Sequence, residues 1–307
     1  MQLAISVGII CKMTYRNSLF IFLQKLLPKK TLSFLVGLVA SCSQDWFSNY
    51  TKKLFLWYYK VDLSEAESNR IQSYQSLNSL FTRKLQNKAR PQPTDASVWS
   101  APADGTLTEF GTICSGQIVQ AKGINYSIAD LFDADIRMAR IFETGKFACI
   151  YLAPHNYHRV HMPTDGLLRN IRYVPGDLFS VNKITSQAID NLFCRNERVA
   201  LLFEKSGGHF AIVMVGACLV GGIALTLPAI DRAPSEQIAS KCWSPGITHK
   251  LTGPSIHRGA EVGYFYFGST VVFLSSQDLL DWDSNLVTGT EMRVGLPWAQ
   301  TPLRRSN

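Results

Sequence analysis

Three runs of this 307-residue chain, residues 147–152, 210–227 and 262–274, are crowded with β-branched and aromatic side chains and punctuated by glycine. Such runs satisfy their backbone groups by pairing as strands. With no βαβ alternation between them, they read as an antiparallel, barrel-like or sandwich-like core. Upstream the period is different. Between residues 64 and 87, Ile71, Leu77, Leu80, Phe81 and Leu85 recur at helical spacing, which predicts one or two helices closed by the joint Arg90-Pro91-Gln92-Pro93. The expected fold is therefore α+β: an amphipathic leader over 1–60, a helical connector over 61–93 and a β-rich domain over 94–307. A hydrophobic content of 46% is ample for a core of that size.

The net charge of +8 is unevenly distributed. Lys12, Arg16, Lys25, Lys29, Lys30, Lys52, Lys53 and Lys60 face the single acid Asp45 within the first 60 residues, so the body is close to neutral. A greasy basic leader on a neutral body suits an anionic membrane surface and argues against nucleic acid as a partner. The apolar stretches 3–11, 19–27 and 32–40 are each interrupted well short of the roughly 18 residues that a spanning helix needs. No charge precedes the first stretch, so it does not have the form of a secretory signal. Short amphipathic helices divided at Pro28 are expected, lying on lipid or packing on the chain's own core, and Trp46, Phe47, Trp57, Tyr58 and Tyr59 favour the interface. Both Met1 and Met13 fit as the start.

Seven cysteines, at 11, 42, 114, 149, 194, 218 and 242, form no C-x-x-C pair and read as buried thiols of a reducing compartment. Three of the six histidines, His155, His158 and His161, fall within seven residues. Read alone, they allow a solvated loop or a membrane-attached metal-dependent hydrolase, although no H-E-x-x-H or neighbouring cysteine completes a ligand set, so no metal is assigned. Gly268-Ser269-Thr270 interrupts the last strand-like run and by itself suits a β-bulge. Asp104-Gly105 by itself suits a turn.

Taken in order, Pro102-Ala103-Asp104-Gly105, Tyr157-His158-Arg159-Val160-His161-Met162-Pro163, Pro175-Gly176-Asp177-Leu178-Phe179-Ser180-Val181-Asn182 and Phe267-Gly268-Ser269-Thr270 resemble the signature set of bacterial phosphatidylserine decarboxylases. The resemblance runs from about Leu19 to about Trp298. It departs from the family at Phe267, where leucine is usual, and at His155, which is given no catalytic role.

The resemblance implies a pyruvoyl-dependent carboxy-lyase that first cuts itself. Ser269 attacks the Gly268 carbonyl, with His161 as base and Asp104 orienting it, giving chains 1–268 and 269–307. The new chain starts with a covalent pyruvoyl group made from Ser269, so no soluble cofactor is needed. That group forms a Schiff base with phosphatidylserine and releases carbon dioxide to give phosphatidylethanolamine, with His158 as acid or positioning group. Ser180 and Asn182 are candidates for the headgroup pocket, an ordinary polar loop being the alternative. The implied location is the cytoplasmic face of the inner membrane, held peripherally, and a homodimer is left open.

Overall fold

A computed structural model describes residues 28–121, 124–218, 222–227, 248–250, 253, 255–266 and 268–302, with positions 18, 20–22, 24 and 26. The expectations for residues 1–17, Met13 among them, and for Phe267 lie outside the described residues.

The domain is organised on a nine-stranded antiparallel sheet. Its strands follow the order Thr248–Lys250, Gly166–Val174, Arg198–Lys205, Gly208–Gly216, Ser269–Ser275, Lys146–Leu152, Gly105–Thr112 and Glu291–Met292, with Ser255–Ile256 also paired to Gly166–Val174. Alternation along each strand supplies two apolar faces. Ile150, Leu152, Ile212, Met214, Val271 and Phe273 enter one cluster, while Cys149, Val213, Val215, Val272 and Leu274 enter the other. The first face is covered by two three-stranded sheets. One joins Val98–Ser100, Pro297–Gln300 and Asp281–Trp282; the other joins Gly222–Leu225, Glu261–Tyr266 and Arg159–His161. The second face is covered by the hairpin Gln117–Ala121/Ile124–Ser127 and by short helices and the turns that follow them, carrying Phe132, Phe142 and Phe193. Among the described residues no barrel closes, and the core is sandwich-like. Each fully buried Val, Leu or Phe contributes roughly 1.5–3 kcal/mol, which is why this β-branched middle dominates the stability.

Helices Lys29–Ser41 and Asp45–Tyr59 precede the sheets, and Pro28 stands at the N-cap of the first. The second helix has an unusual polarity. Its buried stripe is Ser48, Lys52 and Phe55, and the Lys52 ammonium donates to the Ile71 and Tyr74 carbonyls. Its outer face leaves Trp46 76% and Trp57 74% exposed. Among the described residues no helix is long and apolar enough to cross a membrane.

The connector is less helical than its periodicity predicts. Only Leu77–Phe81 forms an α-helix, and Ile71–Ser73 makes a single 3-10 turn. Serine and tyrosine hydroxyls compete for the backbone here: Ser76 and Ser79 make a reciprocal cap, and Tyr74 donates to the Ser68 carbonyl. The cysteines also split. Cys149 is buried, and burial pushes its thiol up to about 12, but Cys114 is exposed because it lies in the turn that opens the hairpin.

Gly105 lets two strands approach closely: a Cβ there would stand 2.3 Å from the Tyr151 carbonyl oxygen and 3.0 Å from Ile150 Cγ2. Gly105→Ala is expected to destabilise the domain by about 1–3 kcal/mol through overpacking, read as a lower urea midpoint. An unchanged midpoint would show that the strands part freely.

Candidate functional site

Ser269 opens the strand Ser269–Ser275, which is paired to Lys146–Leu152 on one side and Gly208–Gly216 on the other. Ser269 lies opposite both Leu152 and Gly216 and is fully buried, and its Oγ has no hydrogen-bond partner among the described residues. The preceding Gly268 has φ +49°, a left-handed conformation that costs any residue with a Cβ about 1 kcal/mol or more. Backbone geometry thus turns sharply at the Gly268–Ser269 bond, next to a hydroxyl that nothing occupies.

The histidine-bearing segment lies against the strand that leads into this turn. Arg159–His161 pairs with Glu261–Tyr266, and the Phe265 N–H donates to the His158 carbonyl at 3.1 Å. The His158 ring is wholly buried on Phe81, with ring centroids 4.0 Å apart. Its Nδ1 lies 2.9 Å from the Asn156 carbonyl. A carbonyl only accepts, so Nδ1 carries the proton, and Nε2 is left as a lone pair without a partner. Burial pushes this imidazole down to about 3, with the nearby Arg83 and His155 charges adding to the effect, so it is neutral at ordinary pH. The Leu152 backbone also acts on the ring, and Leu152 is the strand partner of Ser269.

His161 takes the other side of its short strand, since Val160 and Met162 enter the core. Its Nδ1 donates to the Gly259 carbonyl at 2.8 Å, and its Nε2 accepts from the Tyr157 hydroxyl at 2.9 Å. Burial lowers its affinity for protons, while the charges of Glu261 and Asp104 oppose that shift. Among the described residues Asp104 makes no hydrogen bond to the ring. Its Oδ1 accepts from Arg90 Nε at 3.1 Å and from the Val294 N–H at 2.8 Å, and its Oδ2 pairs with Arg90 Nη2. The Gly259 carbonyl therefore orients His161, and Asp104 acts on it only through its field. Among the described residues no hydrogen bond joins Ser269 to either imidazole.

Asp104 and Tyr157 line a polar cleft of about 510 Å³, whose walls also carry Lys60, Arg83, His155 and Arg293. Three residues that shape it give little signal in the sequence: Arg90 reads only as part of the Pro-rich joint, Tyr157 only as the first letter of a motif, and Arg83 belongs to no pattern at all. Asn182 is an N-cap, its Oδ1 accepting from the Ile184 and Thr185 N–H groups, and the Ser180 N–H donates to Gln24 Oε1. His155 is exposed, both His161 nitrogens are occupied, and among the described residues no group of three metal-binding side chains converges. The metal-dependent hydrolase gains no support.

The depressed His158 pKa fixes a sign. The unfolded chain takes up the proton below about pH 6.5 and the folded chain does not, so stability falls as pH drops through that range. Between pH 7 and pH 5 this one imidazole is expected to cost about 2 kcal/mol, a loss that His158→Gln removes. Urea melts of both proteins at the two pH values check it; an equal loss in both would show that the buried ring is not the source.

A sequence model of the family described as "Phosphatidylserine decarboxylase" matches residues 77–299, and a second, described as "PSD", matches residues 19–60. The chain is similar to the phosphatidylserine decarboxylase proenzyme of Aliivibrio salmonicida, with 41% identity over 286 residues, covering 92% of this chain and 98% of that protein. The proenzyme of Pseudomonas fluorescens is 40% identical over 281 residues, covering 91% and 96% respectively. That of Escherichia coli O127:H6 is 40% identical over 283 residues, covering 92% and 88%. With the matched segments carrying Asp104, both histidines and the Gly268–Ser269 turn, the chain belongs to the phosphatidylserine decarboxylase family.

Proposed function

We propose that this chain cuts itself between Gly268 and Ser269 and then decarboxylates phosphatidylserine to phosphatidylethanolamine at a membrane surface. The observation that carries the proposal is Ser269 itself: buried at the head of the central strand, its hydroxyl unpartnered, with a left-handed glycine before it. Oγ attacks the Gly268 carbonyl carbon, the C–N bond breaks, and an ester replaces the amide. Loss of the Gly268 carboxylate from Cβ leaves a dehydroalanine terminus, and water then releases ammonia and leaves a pyruvoyl group. The products are chains of 268 and 39 residues.

The Ser269 proton is assigned to His161. Both imidazoles are held as Nδ1–H tautomers and present basic Nε2 atoms, but the base must pass through a cationic state. The Glu261 and Asp104 charges favour that cation at His161, whereas Arg83 and deep burial oppose it at His158. The Tyr157 hydroxyl has to yield the Nε2 lone pair for this transfer.

The residues at the turn fit a pyruvoyl group, because an unpartnered Oγ site and a free Nε2 both border Leu152. Such a group supplies a ketone that takes up the substrate amine and draws off electrons as carbon dioxide leaves. His158 Nε2 accepts the proton that the substrate ammonium must shed, helped by the carboxylate arriving with it, and returns that proton to the carbon that lost carboxylate. Water supplies the last proton to the released amine. The leader supports a position at lipid: Phe34, Leu38, Trp46 and Trp57 are exposed on its helices, and the exposed Lys53 and Lys60 suit anionic headgroups. The proposed position is peripheral, on the cytoplasmic face of the inner membrane, and the exposed apolar face of the leader supports its peripheral attachment.

Ser269→Ala is expected to remain one 307-residue chain on a denaturing gel, while the unaltered protein gives two bands, the smaller blocked to Edman chemistry. His161→Gln is expected to stay whole, and His158→Gln to be cut yet release carbon dioxide about 10²-fold or more slowly. A cut Ser269→Ala chain would end the proposal; reversed behaviour of the two histidine variants would exchange their roles.

A further inference from the structure

Arg83 is only 5% exposed, yet no carboxylate pairs with it among the described residues, and its Nε and Nη1 have no partner. Its Nη2 donates to the carbonyls of His155 and Asn156, at 3.1 and 3.3 Å. Other buried arginines are filled. Arg90 meets Asp104 and Glu65, Arg159 meets both oxygens of Glu261, and Arg198 spends its guanidinium on four backbone carbonyls. A guanidinium withdrawn from water with two donors idle is costly unless an anion completes it.

Arg83 lines the cleft that also holds Asp104 and Tyr157. It shares the Asn156 carbonyl with the His158 ring, whose Nδ1 lies 2.9 Å from the same oxygen. Of the carboxylates in this cleft, Asp104 and Glu65 are bound by Arg90, Glu65 also by Arg293, and Asp62 by Ser64, with its charge reaching Arg83 only at a distance, while Glu291 is exposed.

We propose that Arg83 binds the phosphodiester of the lipid headgroup, its free Nη1 donating to a non-bridging oxygen. This rests on phosphatidylserine being the substrate. Of the two anionic groups on that headgroup, only the phosphate keeps its charge throughout the reaction. An arginine on the carboxylate would stabilise the charge that must be lost as carbon dioxide leaves, and would slow the chemistry. A guanidinium, always charged and weakly hydrated, also suits phosphate oxygens well. Phosphate and reacting carbon are separated by a short ester linkage, in keeping with a guanidinium beside the His158 ring.

The test uses the cut, full-length enzyme and short-chain phosphatidylserine. Arg83→Gln is expected to raise KM tenfold or more with a much smaller change in kcat, and Arg83→Lys to recover part of the loss. An unchanged KM, or a fall confined to kcat, overturns the proposal and leaves Arg83 as a prop for the histidine loop. The unaltered enzyme gives a readout that does not depend on any variant folding. Glycerophosphoethanolamine is expected to inhibit it at least tenfold more strongly than ethanolamine, and equal inhibition overturns the proposal. Unaltered enzyme that is cut but releases no carbon dioxide from phosphatidylserine removes the substrate assignment itself, and with it this site.

Discussion

Two-sided pairing of the strand Ser269–Ser275 is the constraint from which the rest of the architecture follows. Every residue from Ser269 to Ser275 has a partner in Lys146–Leu152 and another in Gly208–Gly216. A slip of one residue would send Val271 and Phe273 to the wrong face and carry Ser269 with them. The position of the Ser269 hydroxyl is therefore set by the packing of a whole sheet rather than by a loop. Gly268 is where the chain enters that sheet, and its positive φ places the bend immediately before the buried Ser269 hydroxyl.

The central strands were legible because their signal is local. Alternating β-branched and aromatic residues specify a doubly covered sheet, and the two core clusters separate Val271 from Val272 as that alternation requires. The connector misled because its apolar spacing is helical while its serines and tyrosine bond the backbone in turns. Within the site, Ser269, His158, His161 and Asp104 stood out through four ordered motifs. What those motifs could not convey was partnership. Arg90 holds Asp104, a carbonyl at Gly259 orients His161, and Arg83 reaches its partner carbonyls 72 and 73 residues away. Contacts at such separations leave no period in the sequence.

Dryness runs through the site and acts in opposite senses on its members. It keeps His158 neutral, with its lone pair exposed to nothing, and it raises the stakes of every unfilled donor nearby. His161 is also buried, yet two carboxylate charges soften the penalty for its protonation. Two imidazoles three residues apart thus acquire different chemical temperaments from the charges around them. Phe81 ties this pocket to the leader, touching the His158 ring on one side and Phe55 of the helix Asp45–Tyr59 on the other.

The segment after Gly268 does more than continue one strand. It also supplies Asp281–Trp282 and Pro297–Gln300 to a second sheet and Glu291–Met292 to the far edge of the first, with Trp298 wholly buried. Severing a single peptide bond therefore frees no separable peptide. If the proposed cut is made, the short piece would stay woven through its parent, and its reactive terminus could neither diffuse away nor be traded between molecules. Each copy of the protein would manufacture one prosthetic group, own it for life, and lose it only by unfolding.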